Sequence, residues 1–489
     1  MNMHQDDRIL TPDCPARESF MDAEAAVSRL EALYTQATRF LFDHFSQTLT
    51  GEKPKARIRA FYPEVRITTT SHATADSRLS FGHVPVPGTY TATITRPDLF
   101  RNYLVQQLDL LIRNHGVPVF VGPSTTPIPV HFAMTSNPTV AVPQEGVLDF
   151  PLRDIFDVPD LTTTNDDIVN GTARANADGS GHLAPFTAQR VDYSLARLSH
   201  YTATLPEHFQ NHVLFTNYQF YVDEFEAFAR SALADPASGY TSFVSPGNVE
   251  IRTADEVIPA LTKLPQMPTY HLKRRGGQGI TLVNIGVGPS NAKNITDHLA
   301  VLRPHCWLMI GHCGGLRQSQ HIGDYVLASA YMRADRVMEE VLPAEVPVIP
   351  NFLINLALRK ELQDAQMAYR MGTVYTTDNR NWEFNQNATI GAMKLSRSIA
   401  VDMESATIAA NGYRYRIPHA TLLCVSDKPL HGRPKLSNEA QAFYKNSKEK
   451  HLEMAIRAVE NLRAQYPGGL PNDDVRSFDE PLLGSSGKD

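Results

Sequence analysis

Cysteine, tryptophan, long apolar runs and surplus positive charge are all scarce in this sequence. Four cysteines among 489 residues, Cys14, Cys306, Cys313 and Cys424, are widely scattered, which argues against a disulfide framework or a zinc site. Three of them lie in apolar or Gly-rich contexts, where a thiol packs as a small hydrophobe. No metal site is expected. No apolar stretch approaches the roughly 18–20 residues that span a bilayer, and the opening MNMHQDDRILTPDC carries acids in place of a hydrophobic signal region. A cytoplasmic protein with no membrane partner is expected. With 46 basic against 52 acidic residues the net charge is -6, so composition gives no reason to expect a nucleic-acid partner. What is present is ordinary for a globular protein, 42% hydrophobic and 20% charged. At roughly 100–200 residues per domain, the length suggests two or three domains.

Residues 22–46 carry apolar side chains at three- and four-residue spacing and predict an amphipathic helix. ARIRAFYPEVRITTT and GTYTATITRP alternate polar with β-branched or aromatic residues, as half-buried antiparallel strands do, and RPDLFRNYLVQQLDLLIRNHG reads as a helix closed by Gly116. Residues 160–186 are rich in Gly, Asn and Asp and predict a long loop near a domain boundary. The aromatic stretch HFQNHVLFTNYQFYVDEFEAFARSAL reads as helical. From 280 onward the pattern is apolar strand, turn, helix: ITLVNIGVGPSNAKNITDHLAVL, then HCWLMIGHCGGL, then HATLLCVSDKP. Buried strands read this way, and ligands collect at their carboxyl ends. The expected organisation is an N-terminal α+β domain over 1–175, a helical and loop connection over 176–260, an α/β domain over 261–465 and a flexible tail over 466–489.

Chemistry is expected at four places. Gly286 and Gly288 lie between a strand and a helix, where free N–H groups form a generic anion site; a tight packing turn explains the glycines equally well. The cluster IGHCGGL, with His312 and Gly314, requires close approach of a second backbone or of a ligand. Asp402 and Glu404 flank Met403 in an otherwise interior segment, AVDMESATIAA. Read singly, Asp402 is a helix cap and Glu404 a first-turn acid favoured by the helix dipole. Asp427 follows an apolar strand directly, a setting that raises a carboxyl pKa and suits a general acid. Two acids at neighbouring strand ends point to chemistry.

In order, IGVGPSNAK, IGHCGGL, VDMESA and VSD resemble the purine nucleoside phosphorylase and uridine phosphorylase superfamily. The whole of 20–465, with GHVPVPGTYTATITRPDLFRNYL, TTDNRNWEF and SDKPLHGRPK, is similar to the bacterial AMP nucleosidases. The resemblance implies an α/β fold with a central mixed sheet flanked by helices, a separate N-terminal α+β domain, and cleavage of the N-glycosidic bond of AMP by water. It implies that Glu404 accepts the ribose hydroxyls, Met403 lines the sugar, Asp427 protonates the purine at N7 and Ser426 orients Asp427. The loop 378–384 falls where the family frames the base, so Trp382 or Phe384 is either a stacking platform or a core aromatic. For the 5'-phosphate, Arg380, His431, Arg433 and Lys435 are candidates, with a solvated basic loop as the alternative.

Departures from the family pattern bear on the nucleophile. Phosphorolytic members hold phosphate with arginines where this chain has Asn291 and Met309, and a small hydroxyl residue where it has His312. Neither Asn nor Met can clamp a dianion as a guanidinium does. Hydrolytic relatives carry a Glu in the first glycine loop; GVGPSNAKN has no acid, which leaves the water's base to Asp427 or another loop. The reaction itself needs no cofactor. By resemblance the first domain is regulatory, with Mg-ATP as activator and phosphate as inhibitor in a homohexamer. Arg57, Arg59, Arg66, Arg78, Arg96 and Arg101 are its cations, although an ordinary structural domain also accounts for them. A nucleoside phosphorylase and a catalytically silent nucleotide sensor are the alternatives.

Overall fold

The computed structural model describes residues 9–50, 54–70, 84, 86–135, 150–433 and 437–471. The chain forms two compact units, the first ending at Ala196 and the second covering Arg197–Pro471. Arg78, Lys435 and the tail from 472 lie outside the described residues.

The first unit is built on a five-stranded sheet in the order Glu18–Phe20, Val119–Pro127, Phe61–Thr69, Gly88–Thr93 and Gly181–His182. Phe61–Thr69 pairs antiparallel with both neighbours, as its alternating pattern predicts. The helix Ala23–Thr50 and the helix Arg101–His115 bury Val27, Leu30, Leu104 and Leu108 with Val65, Ile67 and Val121. The second helix ends where glycine is required: Gly116 adopts φ 63° and donates its N–H to Ile112 O at 2.8 Å. A second cluster joins Phe45, Tyr62 and Phe156.

The second unit holds a ten-stranded mixed sheet. Its strands are β1 (His212–Thr216), β2 (Tyr240–Ser245), β3 (Val249–Ile251), β4 (Thr269–Arg274), β5 (Ile280–Asn284), β6 (Cys306–Gly315), β7 (Tyr325–Ala334), β8 (Tyr369–Thr377), β9 (Ala400–Asp402) and β10 (His419–Asp427). They lie in the order 3-2-4-5-1-6-9-8-7-10, and β10 pairs with β6 as well, so the last five strands close into a ring. β6, buried along its whole length, pairs in parallel with β1 and β10 and in antiparallel fashion with β9. Helices α1 (Gln219–Ala234), α3 (Phe352–Asp364) and α6 (Ser437–Gln465) share one large core with β6 and β10. α2 (Pro289–Leu299) and α5 (Ser405–Tyr415) pack together separately, and the short helix α4 (Gln386–Leu395) adjoins a satellite cluster.

Two expectations are corrected. The aromatic stretch expected as one helix is a strand and then a helix: β1 is buried at every residue and pairs in parallel with β5 and β6. A short, continuously apolar run has no period to separate strand from helix. The segment 176–260 divides between the units, giving the first sheet its edge strand Gly181–His182 and the second unit β1–β3 with α1.

Candidate active site

Three strand ends converge on Gly314. In the ladders it is the partner of Val401 in β9 and, after an irregularity, of Asp427 in β10. A Cβ there would lie 3.0 Å from Val401 Cγ1 and 3.3 Å from the Pro429 ring, so the glycine makes room for these two side chains, a packing role for this cluster. β9 ends in Asp402 and leads directly into Met403 and Glu404, and Glu404 immediately precedes α5.

The adjacent acids have different partners. Asp402 Oδ2 accepts the Ser405 N–H at 2.8 Å and the Glu404 N–H at 3.4 Å, while Oδ1 accepts Thr376 Oγ1 at 2.6 Å. Thr376 in turn accepts the Ala406 N–H at 3.0 Å. Asp402 therefore caps α5, as the helix-cap reading expects. Glu404 makes no cap contact with its own helix. Its Oε1 instead accepts the Gly288 N–H at 2.7 Å, and its Oε2 accepts Asn217 Nδ2 at 3.1 Å. Gly288, at the start of α2, has φ 114°, a conformation L side chains rarely adopt. That backbone turns its N–H toward the Glu404 carboxyl, so the glycine turn is occupied by an acidic side chain from within the protein.

Glu404 is only 2% exposed. Burial first, then the nearby charge of Asp402, push its carboxyl up to about 8, against the opposing pull of the Gly288 and Asn217 hydrogen bonds. Burial also raises Asp402, whose capping hydrogen bonds favour its charge. Two carboxyls so close titrate as a pair, and Asp402, with more donors, takes the charge first. Met403 between them is half-buried, whereas Val401, Asp402, Glu404 and Ser405 are buried.

At the end of β10, Ser426 is buried and donates its hydroxyl to Asp427 Oδ1 at 2.6 Å, with a longer 3.4 Å approach to Cys313 O. Asp427 is half-buried. The chain then turns, with Lys428 N–H donating to Arg433 O at 2.7 Å and Arg433 N–H to Lys428 O at 3.2 Å. This turn keeps exposed Arg433 close in the chain to Asp427, and exposed His431 reaches Leu316 O at 3.2 Å. Arg380 is exposed on the loop after β8. Trp382 packs with Leu316, Tyr375, Met393 and Val401, the core-aromatic alternative, while Phe384 is 90% exposed. Asn291 is half-buried on the first turn of α2, and Met309 is sealed within β6. His312 is buried against Tyr218 and Tyr221, with ring centroids 4.9 Å and 5.7 Å away.

Sequence reasoning missed Asn217, which follows β1 and holds Glu404. The available signal was a polar residue ending the run HVLFT ahead of a helix. Its Oδ1 is buried without a hydrogen-bond partner among the described residues, which leaves an acceptor for a ligand hydroxyl. In the first unit, Arg57 and Arg59 bind Asp157, Arg66 binds Asp178, Arg96 binds Asp98, and Arg101 binds Glu24 and Glu31. These cations are engaged by internal carboxylates.

The chain is similar to known proteins in both of its units. Residues 25–180 match the family described as bacterial AMP nucleoside phosphorylase N-terminus, and residues 249–460 match the phosphorylase superfamily. AMP nucleosidase of Escherichia coli (strain K12) is 44% identical over 475 residues, 93% of this chain and 97% of that protein. A uridine phosphorylase of Treponema pallidum (strain Nichols) is 23% identical over 38% of this chain and 74% of its own length. The crystal structure of AMP nucleosidase from Bacteroides thetaiotaomicron VPI-5482 is 27% identical, covers 57% of this chain and 99% of its own, and superposes with a TM-score of 0.44. On the near-complete coverage of the Escherichia coli relative, this chain belongs to the AMP nucleosidase family.

Proposed function

We propose that the protein hydrolyses the N-glycosidic bond of AMP, giving adenine and ribose 5-phosphate. The observation that carries the reading is Glu404, a buried acid whose side chain makes no cap contact with its own helix and is held by Gly288 at the start of α2 and by Asn217 just after β1. Cleaving this bond builds positive charge on the ribose and negative charge on the departing base. In this reading ionised Glu404 lies beneath the sugar and accepts its hydroxyls, and Met403 lines the apolar face. Asp427, oriented by Ser426, delivers a proton to purine N7. The half-exposure of Met403 and Asp427 beside buried neighbours is consistent with these roles. Arg433 and Arg380 serve the 5'-phosphate.

Water is favoured over phosphate as nucleophile because the two positions that carry arginine in phosphorolytic relatives are Asn291 and the sealed Met309. Regulation belongs to the same proposal: Mg-ATP raises and phosphate lowers turnover through the first unit, in a cytoplasmic homohexamer. What supports it is the match of that unit to its own family model and its own hydrophobic core. No described helix is long and apolar enough to cross a membrane.

The test is to incubate purified protein with AMP, with and without phosphate, and separate the products. Adenine and ribose 5-phosphate without added phosphate are expected. A strict phosphate requirement with a sugar phosphorylated at C1 would make it a phosphorylase. AMP binding without adenine release would make it a sensor.

A further inference from the structure

A chain of three buried groups lies behind the end of β6 and decides which nitrogen of His312 carries its proton. It starts at His451 on α6, whose Nε2 is 2.9 Å from Leu422 O. A carbonyl only accepts, so His451 Nε2 carries hydrogen. Burial pushes the His451 imidazole down to about 4, so the ring is neutral and its Nδ1 is an acceptor. Tyr221 Oη lies 2.5 Å from that Nδ1 and must donate to it. With the phenol proton committed, the 3.5 Å approach between Tyr221 Oη and His312 Nε2 can only run from the histidine to the oxygen. His312 is therefore the Nε2–H tautomer, and Nδ1 is its basic nitrogen. Tyr221 stacks on the imidazole at 24° between ring planes and fixes its orientation.

The position of this histidine gives the tautomer a use. His312 stands two residues before Gly314, the ladder partner of Val401 and Asp427. Its ring meets the ring of Tyr218, the residue after Asn217, which holds Glu404. We infer that His312 accepts the proton of the attacking water through Nδ1, and that Tyr221 and His451 are positioning residues that set its tautomer. The inference rests on the hydrolytic reading above. In the step, water oxygen bonds to ribose C1' and the C1'–N9 bond breaks. The water's proton passes to His312 Nδ1, and the bond's electron pair leaves with the purine, which takes a proton from Asp427. Solvent exchange afterwards returns both enzyme groups to their starting states. The resulting imidazolium keeps its Nε2–H directed at Tyr221 Oη, which accepts it.

Azide provides the test, because an anionic nucleophile has no proton to lose and bypasses a missing base. His312→Gln should lower kcat for AMP hydrolysis by about 10²–10⁴-fold with little change in KM. Sodium azide should restore adenine release, with a 5-phosphoribosyl azide as co-product. For the relay, His451→Gln keeps an acceptor for Tyr221 and a donor for Leu422 O and should stay close to wild type. His451→Leu removes both and should lose about 10–100-fold in kcat, also relieved by azide. Thermal melts identify folded variants, and if His312→Gln does not fold, the His451 variants decide. Hydrolysis at the wild-type rate by a folded His312→Gln or His451→Leu, or a loss that azide leaves unrelieved, would overturn the inference. Wild-type protein that releases no adenine from AMP would instead defeat the hydrolytic reading.

Discussion

Each unit contains a buried carboxyl raised by its surroundings, and the two are built differently. Asp192 in the first unit takes Tyr62 Oη at 2.5 Å and Thr95 Oγ1 at 2.6 Å, and burial pushes it up to about 6. Both donors are themselves buried hydroxyls, so the group is enclosed by its own core. Glu404 in the second unit, raised further, is held by the Gly288 N–H at the start of α2 and the Asn217 amide just after β1, beside half-buried Met403. A raised carboxyl therefore does not mark a site by itself. Placement at converging strand ends, next to groups that solvent can reach, separates the two.

Substitutions can break or sharpen that contrast. The largest effect is expected for Asp427→Asn, which removes the proposed proton donor while keeping an acceptor for Ser426: kcat for AMP should fall about 10²–10⁴-fold with the melting temperature preserved. Turnover within a few-fold of wild type would remove Asp427 from the chemistry. Next, Asp192→Ala strands two buried hydroxyls and should cost about 1–3 kcal/mol of stability by denaturant titration, with activity per folded molecule retained. The sign with pH follows from the raised folded-state pKa. Stability contributed by protonated Asp192 is complete below its unfolded pKa near 4 and is lost as pH rises through about 6. The alanine variant should lack that slope. The smallest effect is expected for Asp402→Asn, which keeps the cap but removes the charge that helps raise Glu404. The midpoint of the acid limb of kcat/KM should move to lower pH; an unmoved midpoint would separate the two acids electrostatically.

Much of this was legible in the sequence, for physical reasons. Apolar runs ending in Gly or Ser-Asp gave β5, β6 and β10, and Gly116 marked a helix end that its positive φ requires. The acids Asp402, Glu404 and Asp427 stood out because carboxylates are rare in interior segments. Sequence assigned the helix cap to Asp402, as observed, but read singly it left Glu404 as a first-turn acid, and only geometry sends Glu404 to Gly288. β1 was hidden by its lack of period, and Asn217 with it. The choice for Trp382 turned on the satellite cluster around Leu316 and Met393, which brings together residues from distant strands and helices. The Tyr221–His451 relay joins residues 230 positions apart, and nothing local announces such a pairing.

The claim that ionised Glu404 carries the reaction is tested most directly by the pH dependence of kcat/KM for AMP in wild type and Glu404→Gln. Wild type should gain activity as pH rises, with an apparent midpoint far above that of an ordinary glutamate and near 8. Below that midpoint the carboxyl is protonated and cannot serve as the anion. Glu404→Gln should be slower by about 10²–10³-fold at the wild-type optimum and should lose that limb. A glutamine variant that keeps both the rate and the limb would contradict the account.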